Sequence, residues 1–504
     1  MMAIKPMPFL SAEFIFFFAL VIGSYTFIPL RWRWIHLLVS SLIFYGLISL
    51  PYLFLVIVLT LIDYAVARCM GMERFKDRKK ILLTTGLAIN LLVLVFFKYS
   101  EFFLEFIPGM FGQSAADHSS PASKLLIPLG ISYYIFKKLS YLIDVYRENI
   151  SPEACYFRLL LYVLFFPEVT AGPIDRAGAL IPQFAGNRNF DRQRILRGFQ
   201  LILWGLFKKL VIADRLAGLV NPIFNRPDHF SGTYLALATL AFSIQIYCDF
   251  SGYTDMALGI GHTLGYSLTE NFDRPYFSRS VVEFWKRWHI SLSTWLQDYL
   301  FLPLAYLASR KLKRETFLGI KSDLVAYIFG AILTMSLCGV WHGAHSTFLF
   351  WGFLHGIFLT LSFAFRKFRK RIRKTLKLKQ HPVLHHVIQV ILTFSLVSFA
   401  WIFFRANSLP EGFRIAGRIL LGTGKTSGGL VSFSSIGFSR PDMVIAGLGT
   451  LLLLLTERFQ PMMKFGKMLR SRPWWIRWII LYGLIFIILF FGVFNVDVFI
   501  YEGF

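Results

Sequence analysis

The 504-residue chain contains only four cysteines. Cys69, Cys155, Cys248 and Cys338 stand singly, and three of them lie in or beside apolar runs. Neither a disulfide framework nor a Cys-x-x-Cys metal knuckle can be built from them. Charge is also scarce, at 16% of residues, and acid scarcest of all: 28 Asp and Glu against 53 Lys and Arg, a net +25. The basic residues fall in short clusters between apolar runs, with no aromatic-interleaved polar domain to hold a strand, so no nucleic-acid partner is expected. Membrane topology and anionic lipid headgroups account for the clusters better, and a polyanionic metabolite could also meet them. No small-residue cleavage pattern follows the first apolar run, about Phe9 to Leu30, which reads as a retained span and not a signal peptide. No internal repeat of the transporter kind is visible. Gly422-Thr-Gly-Lys-Thr426 lacks the first glycine of a P-loop, because position 419 is Ile, and it follows no strand.

What the chain does have is apolar surface. Hydrophobic residues make up 56%, 55 residues are Phe, and the mean hydropathy is +0.58. No soluble core needs so much, and the class is an all-α integral membrane protein. Apolar runs at 9–30, 35–49 and 51–68 lead to the basic loop Arg74 to Lys80, which the positive-inside rule places in the cytoplasm, with the N-terminus outside. The run at 81–98 then reaches a weakly charged outer stretch, Gly112 to Ser123. Residues 124–146, interrupted by Pro128, Gly130 and Lys137-Lys138, predict a bent helix. Further runs fall at 157–172, 198–220, 234–262, 324–343, 347–365, 384–404, 442–456 and 478–497, with an amphipathic piece near 411–421. The nine-cation run Arg366 to Lys379 is the strongest cytoplasmic marker, and span parity leaves the C-terminus outside. The expectation is roughly eleven transmembrane helices plus one or two re-entrant or amphipathic helices, in a single polytopic domain over residues 1–504.

Polar residues inside such segments are costly and mark candidate sites. Ser336-Leu-Cys-Gly-Val-Trp-His-Gly-Ala-His345 carries two imidazoles. At roughly 100° per residue, Cys338, His342, His345 and Leu349 would share one helical face, while Gly339 and Gly343 let another helix approach closely. With no carboxylate on that face, no metal is expected. Tyr247 to Asp255 places Asp249 and Asp255 in a span, where a central carboxylate costs about 2.5–3.5 kcal/mol. From Glu283 to Leu302, residues Trp285, Trp288, Leu292, Trp295, Leu296 and Tyr299 form an apolar arc, with His289 on its border and Glu283 spaced i, i+4 from Arg287. That pattern predicts an amphipathic or re-entrant helix. In Phe166-Pro-Glu-Val-Thr-Ala-Gly-Pro173, two prolines and a glycine should unwind the backbone, which must then be buried in protein or line a cavity.

Taken in order, several segments resemble the membrane-bound O-acyltransferases, and within them the bacterial branch that includes the membrane subunit of alginate O-acetyltransferase. They are Leu129-Gly-Ile-Ser-Tyr-Tyr, Leu139 to Tyr146, Phe165-Phe-Pro, Ala171-Gly-Pro-Ile174, Tyr247 to Asp255, Asn271-Phe-Asp-Arg-Pro-Tyr276, Glu283 to Ser293, Gly339-Val-Trp-His-Gly343 and Phe404-Arg-Ala406. The likeness runs from about 120 to 410, leaving 1–119 and 411–504 as flanking helices. It implies that His342 is the family's essential intramembrane histidine and His289 its second signature histidine. It also implies a bundle pierced by a central tunnel between a cytoplasmic donor side and an outer acceptor side, in a bacterial inner membrane. The sequence departs from the branch at Lys137-Lys138 and Glu168, where neutral polar residues are expected.

The chemistry suits the residues. A hydroxyl attacking a thioester needs a base that works near neutral pH, and imidazole is the side chain most readily poised for that. His342 is the expected base; His289 orients it or bonds the thioester carbonyl. Asp249, Asp255 or Asp298 could set a tautomer, with Glu283, Arg287, Trp288, Tyr299 and Trp341 in support. Acetyl-CoA is the expected donor. The acceptor is a glycan such as alginate, reached through an extracytoplasmic partner acetyltransferase. Alternatives are peptidoglycan O-acetylation, a D-alanylation type of transfer, or a non-catalytic transporter of an acylated intermediate.

Overall fold

The structure, a computed structural model, describes residues 9–110, 127–186, 191–312, 315–317, 320–375, 377, 380–422, 436–459 and 473–494. The outer stretch Gly112 to Ser123, positions 423–426 of the P-loop look-alike and both chain termini lie outside the described residues. In chain order the helices are α1 (Ala12–Phe27), α2 (Arg33–Ile48), α3 (Leu50–Met70), α4 (Lys79–Met110), α5 (Ile131–Tyr146), α6 (Tyr156–Leu164) and α7 (Ala177–Ala185). They continue with α8 (Arg192–Leu206), α9 (Asp214–Asn225), α10 (Gly232–Leu264), α11 (Val281–Trp285), α12 (Ile290–Leu296) and α13 (Leu302–Lys311). The last seven are α14 (Ser322–His342), α15 (Ser346–Ala364), α16 (Arg366–Thr375), α17 (Pro382–Arg405), α18 (Leu409–Leu421), α19 (Arg440–Phe459) and α20 (Trp474–Phe491). A two-residue β-ribbon, Thr316–Phe317 with Ile320–Lys321, precedes α14.

Seven described helices are long and apolar enough to cross a bilayer. The roughly eleven runs expected from sequence include some that fold shorter. The run at 157–172 becomes the nine-residue α6 followed by turns, about 14 Å of helix against a hydrocarbon core of about 30 Å. The run at 198–220 contains a π-helical stretch, Phe207–Ala213.

The chain forms two compact units. The first holds α1 to α7 with Met1–Ile202 and Tyr253–Thr269. Phe14, Phe17, Phe44 and Phe166 interlock there by ring contacts. The Pro/Gly segment expected to unwind does so: residues 165–176 are non-helical, and Phe165 to Asp175 are buried. Its backbone is anchored by side chains, as buried irregular backbone must be. The Tyr162 hydroxyl donates to the Asp175 carbonyl at 2.8 Å, and an Asp175 carboxylate oxygen accepts from the Thr269 amide at 3.0 Å. The lysines that break the expected pattern are paired inside this unit. Lys137 meets Glu168 at 2.5 Å, and Lys138 meets Asp63 at 3.1 Å. Asn90 donates to Asp63 at 2.7 Å.

The second unit holds Leu203–Gly252 and Glu270–Ile500. Its centre is the α14–α15 hairpin, whose closeness depends on glycine. A Cβ on Gly339 would lie 2.2 Å from the Phe348 carbonyl oxygen, and one on Gly352 2.1 Å from that of Met335. The close approach expected at Gly339 is therefore real, and its partner is the next helix in the chain. Because α14 ends at His342, His345 lies past the turn at the start of α15 and not on the face of Cys338 and His342.

Candidate active site

The expected helix over 283–302 is interrupted between Trp285 and Ile290, and the interruption has a cause. α11 starts at a side-chain N-cap: the Ser280 hydroxyl oxygen accepts from the Glu283 amide at 3.1 Å, and a Glu283 carboxylate oxygen accepts from the Arg279 amide, one residue before the cap, at 2.9 Å. The predicted Glu283–Arg287 pair forms at 2.7 Å. Partial burial raises the Glu283 carboxyl, but the Arg279 amide and the Arg287 and Arg279 guanidiniums outweigh it and hold the group below its ordinary value. The helix then stops, because His289 takes a left-handed backbone, φ 43° and ψ 56°, a conformation costly for a non-glycine residue unless its surroundings impose it. Here the segment Asn271–Asp273 imposes it. The Asn271 carbonyl accepts from the Ile290 amide at 3.0 Å, its side-chain oxygen accepts from the Ser291 amide at 3.1 Å, and the Arg287 carbonyl accepts from the Asp273 amide at 3.0 Å. A β-bridge joins Phe272 to Trp288 between these bonds. The chain resumes as α12, followed by a π-helical turn, Gln297–Phe301.

This clamp holds the His289 ring, 1% exposed, edge-on to Phe250 at 4.7 Å and 6.4 Å from Trp341. On α14, His342 is 3% exposed and meets Trp341 at 4.8 Å, Trp351 at 5.3 Å and Phe404 at 5.3 Å. His289 and His342 thus both lie against the Trp341 indole. Trp288 closes the back of the cluster against Phe272, Tyr276, Phe284 and Trp401. The six residues of the expected apolar arc are all buried, so the amphipathic pattern survives the broken helix.

The three candidate carboxylates lie in different settings. Asp249 is buried and meets Lys209 at 2.7 Å, and Lys209 also meets Asp214 at 2.8 Å. Lys209 projects from the π-helical stretch Phe207–Ala213, the kind of helix irregularity frequent at functional sites. Asp298 is exposed on the turn Gln297–Phe301, and Tyr299 packs on Trp295 at 5.1 Å. Asp255 belongs to the first unit and is half-buried.

Two features add to the sequence reading. His355, fully buried on α15, is a third imidazole in the cluster. Its Nδ1 accepts from the Trp285 indole N–H at 3.2 Å, and its ring meets Trp351 at 5.0 Å. That bond puts the proton of the neutral ring on Nε2. One histidine on an apolar helix has no spacing signal, so only the fold reveals it. The second feature is a cavity of about 640 Å³, lined among others by Lys209, Asp249, Gln245, His345, Phe404 and Arg405, a size usual for small-molecule sites of about 300–1,000 Å³. His342 is not among its lining residues. Phe404 is, and its ring stands edge-on to His342. Among the described residues no group of three or more His, Cys, Asp or Glu side chains could hold a metal ion.

The sequence is similar to those of known proteins. Residues 122–406 match the profile of the membrane-bound O-acyltransferase family. The chain is 34% identical over 411 residues to a probable alginate O-acetylase of Azotobacter vinelandii, covering 81% of this chain and 77% of the relative. It is 31% identical over 433 residues to a peptidoglycan O-acetyltransferase of Helicobacter pylori, with 81% and 77% covered. A teichoic acid D-alanyltransferase of Bacillus subtilis is 29% identical over 288 residues, 56% of this chain and 70% of the relative. With a buried histidine cluster inside the matched region and seven bilayer-length helices among the described residues, the chain belongs to the membrane-bound O-acyltransferase family and is an acyltransferase of the membrane.

Proposed function

We propose that the protein transfers an acetyl group from cytoplasmic acetyl-CoA to a hydroxyl on the outer side of a bacterial inner membrane, in the O-acetylation of a cell-surface polysaccharide such as alginate. The observation that carries this is the contact of both signature histidines with Trp341, next to a cavity whose Phe404 wall touches His342. Relatives named as O-acetylases support the acyl group. His342 takes the proton of the attacking hydroxyl, the new C–O bond forms as the thioester C–S bond breaks, and the thiolate leaves as the thiol after receiving a proton. His289 holds or polarises the thioester carbonyl. The catalytic core extends over about residues 120–410 of one polytopic domain.

Orientation follows from charge. α15 runs 19 residues, about 28 Å, from the cavity at His345 and Phe348 to the start of basic α16. If α16 lies in the cytoplasm, the cavity faces outward and both chain termini lie outside. Two acceptors suit this placement: a glycan hydroxyl, or a serine of an extracytoplasmic partner acetyltransferase that passes the acetyl group onward, as the resemblance implies. The test is incubation of the purified protein with acetyl-labelled CoA thioester and each acceptor. Free CoA should appear together with labelled product. Label carried across the membrane with the thioester intact would instead mark a transporter.

A further inference from the structure

The side chain that sets the turn at His289 uses only one arm of its amide. Asn271 is 1% exposed, and its Oδ1 accepts from the Ser291 amide at 3.1 Å. That bond fixes the orientation of the planar group, because turning it over would set two N–H donors against each other. The other arm, Nδ2, has no hydrogen-bond partner among the described residues. Holding Ser291 needs only an oxygen, which Asp, Ser or Thr would also supply. The amide adds two N–H groups that the fold does not use. Buried polar groups are almost always paired, so an unmatched one needs an explanation.

Its surroundings suggest which. The Asn271 carbonyl accepts from the Ile290 amide at 3.0 Å, and Phe272 bridges Trp288, so Asn271 is bonded to the two residues that follow His289. Around His342 two more buried N–H groups lack an acceptor among the described residues. They are Trp351 Nε1, on the ring edge-on to His342, and His355 Nε2, on the ring that packs against Trp351. The histidine cluster therefore has donors to spare, and a ligand that fits it brings an acceptor oxygen.

We propose that Asn271 is a further catalytic residue, whose Nδ2–H binds the acyl carbonyl oxygen and stabilises the oxyanion formed there. This rests on the acyl-transfer reading and gives His289 a second donor. The hydroxyl oxygen adds to the acyl carbon, its proton passes to His342, and the carbonyl π electrons move onto the oxygen that Nδ2–H holds. The C=O bond then re-forms, the C–S bond breaks, and the thiolate takes the proton from His342. A donor aimed at developing charge acts on the rate more than on ground-state binding.

The experiment uses Asn271→Asp, which keeps an oxygen for Ser291 and deletes the donor, and Asn271→Ala, which loses both. Full-length protein in detergent is given acetyl-CoA, isotope-labelled at the acyl carbonyl carbon, and an alginate oligosaccharide. In Asn271→Asp, kcat per folded protein should fall by about 10²- to 10³-fold with the KM for thioester unchanged. Infrared difference spectra in a His342→Ala background, where the thioester persists, read the bond itself. The bound carbonyl should absorb at lower frequency with Asn271 present than in either variant, and Asn271→Ala supplies this readout if Asn271→Asp does not fold. A purely structural asparagine would lower the thermal midpoint and leave the band in place. A band at one frequency in all three proteins, or kcat per folded Asn271→Asp equal to the parent's, would overturn the proposal. Ester formed with an unshifted band removes the proposal and leaves the acyl-transfer reading. A shifted band with no ester formed by the parent removes that reading and leaves the carbonyl site.

Discussion

Lys137 and Glu168 offer a sharp stability experiment. Both side chains are at most 2% exposed, and their charged atoms lie 2.5 Å apart. Neutralising one partner leaves the other charge buried without its counter-ion, a loss of about 3–5 kcal/mol, or roughly 150- to 5,000-fold in the unfolding equilibrium. Replacing both with apolar residues of similar volume removes the desolvation cost with the attraction and should be near neutral. Lys137→Met and Glu168→Leu should therefore each lower the unfolding midpoint in detergent strongly. The double variant should recover most of the loss, giving a coupling energy of several kcal/mol. Additive single losses, or single variants within about 0.5 kcal/mol of the parent, would refute the reasoning and show that the pair is solvated or neutral.

The same pair shows what the sequence could and could not tell. Lys137 and Glu168 stood out separately as departures from the branch pattern. Their pairing depends on the non-helical turns at 165–172 bringing Glu168 against α5, a contact across 31 residues with no periodic signature. Local features were legible: the unwinding at Pro167 and Pro173, the small residue at Gly339, the Glu283–Arg287 spacing and the apolar arc. The break at His289 was not, because it is set by Asn271 from a separate segment and no propensity at 289 announces it. The cavity was invisible for a similar reason. Gln245 lies on α10, Lys209 on a π-helical stretch, His345 at a turn and Arg405 at a helix end, so only the fold assembles them.

Three further variants test the geometry. Gly339→Ala places a methyl 2.2 Å from a backbone oxygen that cannot rotate away. It should cost about 1–3 kcal/mol or more by forcing α14 and α15 apart, and an unchanged thermal midpoint would contradict the close packing. Asn271→Ala leaves the buried Ser291 amide without its acceptor, a loss of about 1–3 kcal/mol. Transfer rate should fall further than stability because one of the bonds that hold the turn at His289 is lost while the backbone bonds remain, and equal falls in both would argue for a purely structural asparagine. Phe404→Ala removes the ring between cavity and base. Thioester hydrolysis should rise relative to acyl transfer, measured as free CoA released per labelled product, and a constant ratio would show that the ring is no barrier to water.

The most direct measurement concerns the ring at position 342. Full-length protein carrying His342→Ala, checked for retained folding by its thermal transition, is given the acyl thioester and acceptor, and labelled ester is counted over time. Loss of a general base should reduce the rate by about 10²- to 10⁴-fold, with the donor still bound. Label accumulating at the parent rate in a folded variant would contradict the catalytic assignment.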